Sequence, residues 1–208
     1  MVNTIAIAYG MDAADKAAKF YGDLSKEDVA YIEAVMRCDY TTANQLIGIA
    51  ARRAMPNTIC KHLVYRRDND IVNEYKVERK GNKFRGGSLG NGVYFYGSKE
   101  ESDSTYGYGY IQRPFYINVE KVYEMHTPEH EVLSLRNDGR VSSRFTKVVD
   151  SVGDGNEYDG IFFPMRLREE WCVLDPRRIK LATVTKDNRG VVIPLSYRFD
   201  FTNPDVRF

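Results

Sequence analysis

The sequence predicts an α+β fold, and three observations carry that expectation. The first 55 residues place apolar side chains at helical spacing behind capping signals. From Cys60 onward the chain breaks into short β-branched and aromatic runs separated by Gly, Asn and Asp. No internal repeat or low-complexity tract interrupts this order. At 208 residues, 43% hydrophobic and 28% charged, the chain is long enough for one well-buried core. A single domain over 1–208 is expected, with a helical lead-in at 1–57, a core at 58–185 and an extended tail at 186–208.

Residues 12–21 are rich in helix formers, with acids early and lysines later, the order that the helix dipole favours. Gly22 ends this helix. Ser25-Lys-Glu-Asp28 then reads as a capping box ahead of Val29, Ile32, Val35 and Met36, and Thr42-Ala-Asn-Gln45 repeats the device before Leu46, Ile47, Ile49 and Ala50. Cys60 to Arg67 is a compact strand-like run. Residues 71–80 fit neither period. The glycine-flanked stretch Gly90 to Gly97 predicts a short buried strand, with a helical segment at 99–106 and a strand at 112–119 behind it. Short helices are expected at 129–136 and 143–151, and a turn at Gly153 to Asn156. Tyr158 to Phe163 is a strand, Arg166 to Glu170 a charged hairpin, Trp171 to Leu174 the next strand, and Ile179 to Thr185 rejoins the sheet after Asp175-Pro176. The Pro-interrupted tail reads as a segment lying on the surface.

Thirty basic against twenty-nine acidic side chains leave a net charge of +1, which excludes a global field for nucleic acid or an anionic membrane. Cys38, Cys60 and Cys172 are odd in number and widely spaced, so neither a disulfide framework nor a zinc knuckle is indicated, and a reducing cytoplasm is expected. No stretch has the length of a membrane span and no export signal is evident. His126 and His130, with Glu124 and Glu129, have the spacing of a metal pair, but Pro128 between them argues for a loop, and no metal is expected.

Fifteen Tyr and ten Phe against one Trp suit a site built on aromatics with hydrogen-bonding tips. Cleaving nicotinamide from NAD passes through an oxocarbenium-like transition state. Such a site needs a flat slot, a donor for ribose or phosphate oxygens and a carboxylate facing the developing positive charge. Tyr94 and Tyr106 offer the slot, Arg66 the donor, with Tyr65 beside it, and Glu170 the carboxylate.

These residues fall into motifs. Gly90-x-Gly92-Val93-Tyr94-Phe95 is followed by Tyr106, and Glu170-Trp171-Cys172-Val173-Leu174-Asp175-Pro176 comes late, after Tyr158-Asp159-Gly160-Ile161 and before Arg177-Arg178-Ile179-Lys180. In this order they resemble the ADP-ribosyltransferase superfamily, nearest its poly(ADP-ribose) polymerase-like, diphtheria-toxin-like branch, over residues 60–182. The resemblance implies a split β-sandwich of two small sheets around a cleft, with NAD as co-substrate. It implies that Tyr94 and Tyr106 sandwich the nicotinamide and that Glu170 binds a ribose hydroxyl and stabilises the oxocarbenium. Where the branch has a His at the end of its first core strand, Val64-Tyr65-Arg66-Arg67 is more similar to the arginine strand of other toxins, which implies that Arg66 contacts NAD phosphate or ribose. Arginine-modifying toxins carry Glu or Gln two residues before the catalytic Glu. Here that position is Arg168, which leaves the acceptor open, a protein being expected ahead of a nucleic acid.

The expected function is mono-ADP-ribosyl transfer to a macromolecule. NAD hydrolysis at the same site and an inactive, partner-binding relative stand as alternatives. Val192 to Phe199 and Asp205 to Phe208 resemble the closing segment of some phage polyvalent proteins, which implies a phage-encoded enzyme acting in the cytoplasm of a bacterial host. Simpler readings stand beside these. Tyr94 is equally a core aromatic, Arg66 and Arg67 solvated strand-end charges, and Glu169-Glu170 part of a hairpin ion-pair cluster with Arg166, Arg168 and Arg177. His62 alternates to the face of Arg66 and is a weaker candidate for the missing His. Cys172 reads as a small core residue.

Overall fold

The computed structural model describes residues 2–76, 92–106, 111–124, 157–165 and 168–208. It is a mixed α+β structure. Helices α1 (Val2–Tyr21), α2 (Lys26–Met36) and α3 (Tyr40–Ala54) lead the chain. Gly22, with φ of +77°, ends α1 in a conformation that costs only glycine nothing. The Ser25 hydroxyl accepts the Asp28 N–H at 3.1 Å while the Asp28 carboxylate accepts the Ser25 N–H at 3.0 Å, so the capping box forms as expected. The second box does not. Asp39 caps α3 by accepting the Thr42 N–H at 3.0 Å, and Thr42 lies inside the helix.

Strands β1 (Val64–Asp68), β2 (Val93–Tyr96), β3 (Ile111–Ile117), β4 (Val122–Glu124), β5 (Gly160–Met165), β6 (Arg168–Val173) and β7 (Ile179–Leu181) form one seven-stranded sheet in the order β4-β5-β6-β2-β1-β3-β7. Helix α4 (Lys99–Tyr106) links β2 to β3. The pairings are antiparallel except β4 with β5, and β4 lies in the polar stretch after residue 120, which has no strand signal. The expected two small sheets are therefore joined. The join is narrow: β1 meets β2 through the pairing Tyr65 to Tyr96, whereas β2 runs beside β6 over four residues. Strand β1 begins at Val64 rather than at Cys60, and β6 begins at Arg168, so Glu169 and Glu170 are strand residues and not part of a hairpin turn. Residues 71–76 form no regular element beyond a Glu74–Asp205 bridge. The helices expected at 129–136 and 143–151 and the turn at 153–156 lie outside the described residues.

Side chains alternate across each strand, so the register sorts them onto two faces. Val64, Phe95, Phe115, Ile117, Trp171, Val173 and Ile179 make one core. On the other face Tyr116 and Val184 pack against a second core built from α1 to α3 and the tail, including Tyr31, Ile32, Ile47, Ile193, Leu195 and Phe199. The tail is thus not surface trim. It lacks strands because Pro194 and the 3₁₀ turn Leu195–Tyr197 interrupt it, yet its apolar side chains are buried. Phe199 adopts φ of 61°, which turns the successive residues Arg198 and Phe199 both inward. Among the described residues no helix is long and apolar enough to cross a membrane.

Candidate functional site

Strands β6, β2 and β1 are neighbours at the middle of the sheet, and their register sets up a row. Glu170 lies opposite Tyr96, and Tyr96 opposite Tyr65. One step along, Tyr94 lies opposite Cys172, and Cys172 opposite Ile161. Directly paired residues, and residues two apart on a strand, share a face. Tyr65, Tyr94, Tyr96, Cys172 and Glu170 therefore share the face that carries the helices. The opposite one holds Phe95 and Trp171.

Electrostatics places these side chains together as well. Burial pushes the Cys172 thiol up to about 12, the Tyr94 side chain opposes that shift through a hydrogen bond, and the Glu170 carboxylate adds to it. A thiol so shifted stays protonated near neutral pH, so Cys172 supplies packing rather than a nucleophile. Glu170 is itself buried, 4% exposed, between the cross-strand neighbours Tyr96 and Phe163. A carboxylate taken out of water between aromatic rings interacts strongly with a cation brought next to it.

Helix α4 borders the same face. Ser98 and Glu101 form a reciprocal cap at its start, each accepting the other's N–H at 3.1 Å, and the second Glu101 oxygen accepts the Glu169 N–H at 3.2 Å. One turn on, Asp103 binds Arg67 at 2.5 Å and accepts from Gln112 at 2.9 Å. Arg67 and Gln112 are paired across β1 and β3, so Arg67 belongs to the face of Tyr65. Tyr106 ends α4, which puts its backbone beyond Asp103.

Arg66 does not join them. It sits on the opposite face, its Nε on Asp68 at 2.7 Å, its Nη1 donating to the Tyr94 carbonyl at 3.0 Å, and its guanidinium over the Tyr75 ring at 5.1 Å. Arg113 and the Tyr75 hydroxyl share Asp68 with it. Arg66 thereby ties β1 to β2 where the backbone ladder is thinnest. Alternation sends successive residues to opposite faces, so Arg67, and not Arg66, shares the face of Tyr65 and Glu170. Sequence reasoning also passed over Tyr96, and the signal was available: it is two residues from Tyr94 and so on its side of the strand.

The glycines around β2 sit against the side chains of β6. A Cβ on Gly97 would lie 2.7 Å from the Glu169 side chain, and one on Gly92 would overlap the Cys172 sulfur. They admit the side chains of β6, while Gly90 lies outside the described residues. His62 is exposed and pairs with Glu169 at 2.7 Å, and the same Glu169 oxygen accepts the Trp171 Nε1–H. Because Trp171 belongs to the sheet's first core, this cluster lies away from Glu170, and His62 does not substitute at the row. His126 and His130 lie outside the described residues. Among the described residues no group of three or more metal-ligating side chains gathers. No family model, curated protein or solved structure matches the chain.

Proposed function

We propose that the chain is an NAD-dependent mono-ADP-ribosyltransferase of the ADP-ribosyltransferase superfamily, and that its site is the face shared by β6, β2 and β1. The observation that supports this most is the cross-strand row Glu170, Tyr96, Tyr65, with Tyr94 alongside. Residues that are 105 positions apart in the chain, Tyr65 and Glu170, are brought onto one face two strands apart. In this reading Tyr94 and Tyr96 flank the nicotinamide, and Glu170 accepts a hydrogen bond from a ribose hydroxyl. The C–N glycosidic bond breaks with its electron pair leaving on nicotinamide. Glu170 lowers the energy of the resulting oxocarbenium, and the acceptor's nucleophilic atom bonds to the anomeric carbon and gives up its proton. Arg67, held by Asp103, supplies a donor for the ribose oxygens.

Incubating the purified chain with labelled NAD and a bacterial lysate, then separating protein, nucleic acid and small molecules, tests this reading. Label on protein is expected. Label recovered only as free ADP-ribose would make the activity NAD hydrolysis, and label left wholly in NAD would favour a binding protein.

A further inference from the structure

Arginines with described side chains sit on carboxylates, Arg53 on Glu27, Arg67 on Asp103 and Arg189 on Asp187 among them. Arg52 and Arg198 are the exceptions among the described residues, and they converge on one place. Arg52, on α3, is exposed and makes no ion pair there. Arg198 is 6% exposed and donates to the Leu181 carbonyl and, at 3.5 Å, to the Tyr31 hydroxyl, while its Nε is buried without a partner. A guanidinium taken out of water with no carboxylate on it favours an anion brought nearby.

Between the two lies the hydroxyl of Tyr116. The Tyr116 Oη and the Arg52 Nη1 both crowd the point where a Cβ on Gly48 would stand, at 3.2 and 3.5 Å from it. Burial pushes the Tyr116 hydroxyl up, Arg52 and Arg198 pull it down, and Tyr65 adds to the upward shift, so all three lie close to it. Tyr65 is the end of the row that begins at Glu170. From β6 to β3 is three strand spacings, about 14 Å, comparable to the reach of an extended dinucleotide.

We propose that Arg52, with Tyr116 beside it and Arg198 behind, forms an anion subsite that takes the pyrophosphate half of the co-substrate. This rests on the reading of the Glu170 row as an NAD site. It gives α3 a part in binding: Gly48 leaves the space through which Arg52 turns back towards the sheet. The ligand class is a nucleoside diphosphate.

Calorimetric titration with ADP-ribose and, separately, with nicotinamide tests the subsite. Arg52→Gln should weaken ADP-ribose by about tenfold or more, the loss expected of a charge-assisted contact, and leave nicotinamide affinity unchanged. Arg52→Lys should recover most of the loss. Because Arg52 is exposed, the thermal midpoint should not move. Equal ADP-ribose affinity for wild type and Arg52→Gln would overturn the subsite while leaving the Glu170 reading in place. A wild-type protein that takes up neither ligand would overturn both.

Discussion

Arg66 and Arg67 are adjacent in sequence and lie on opposite faces of the sheet. Arg66 lies over Tyr75 and bonds Asp68 and the Tyr94 carbonyl, on the face that holds the sheet's first core. Arg67 faces α4 and Asp103. Arg66→Ala should cost roughly 1–3 kcal/mol, because it removes charge-assisted bonds to partners that stay largely buried, and it should leave NAD affinity within about twofold for the folded fraction. Arg67→Gln should do the reverse, lowering NAD affinity by about tenfold with little change in urea midpoint. Equilibrium unfolding and calorimetry on the two variants separate these roles. Equal loss of binding in both would contradict the assignment of faces. The sequence supplied the residue types here but not the choice between neighbours. That choice needs the phase of the strand, and a five-residue strand with charges at consecutive positions has no hydrophobic alternation from which to read it.

At the scale of elements, the legible features were those with local causes. The capping box at Ser25, the helix at 99–106 and the strands around Tyr94 and Trp171 all follow from signals within a few residues. The tail's burial has no local signal, because its partners are distant in the chain. Val191, Ile193, Leu195 and Phe199 have no strand or helix period, yet they fill the core beneath α1 to α3. Asp187 fixes the tail's turn at this junction. Burial raises its carboxyl, but the Val191 N–H, Arg189 and the Tyr21 hydroxyl together hold it down at about 2. A carboxylate whose folded pKa lies below its unfolded value adds stability that is fully present above the unfolded pKa, near 4, and fades as pH falls towards 2. The difference in urea midpoint between wild type and Asp187→Asn should therefore be constant from pH 7 to 5 and shrink below pH 4. A difference unchanged at pH 2.5 would contradict the linkage.

At the scale of the molecule, one sheet separates two cores. The first is closed by the sheet itself with Tyr75 and Val206, and the second by helices and tail. The row Glu170, Tyr96, Tyr65 lies at the seam where the strands β4-β5-β6-β2 meet β1-β3-β7, joined through Tyr65 and Tyr96. The two halves meet through a narrow join, and the candidate residues lie on both sides of it on the helical face. The order of motifs in the sequence was enough to nominate Tyr94 and Glu170. What it lacked was the partner between them, since Tyr96 gains its place only when β2 pairs with β1 and β6 at once.

Nicotinamide release from NAD by the purified chain with bacterial lysate supplying acceptors, comparing wild type with Glu170→Gln, tests the central claim most directly. The substitution keeps shape and hydrogen-bonding capacity while removing the charge that faces the oxocarbenium. Wild type should release nicotinamide in proportion to enzyme, and Glu170→Gln should be slower by about a hundredfold or more, with an unchanged thermal midpoint. Equal rates, or no release by a wild-type protein that is folded, would contradict the assignment of this face as an NAD-cleaving site.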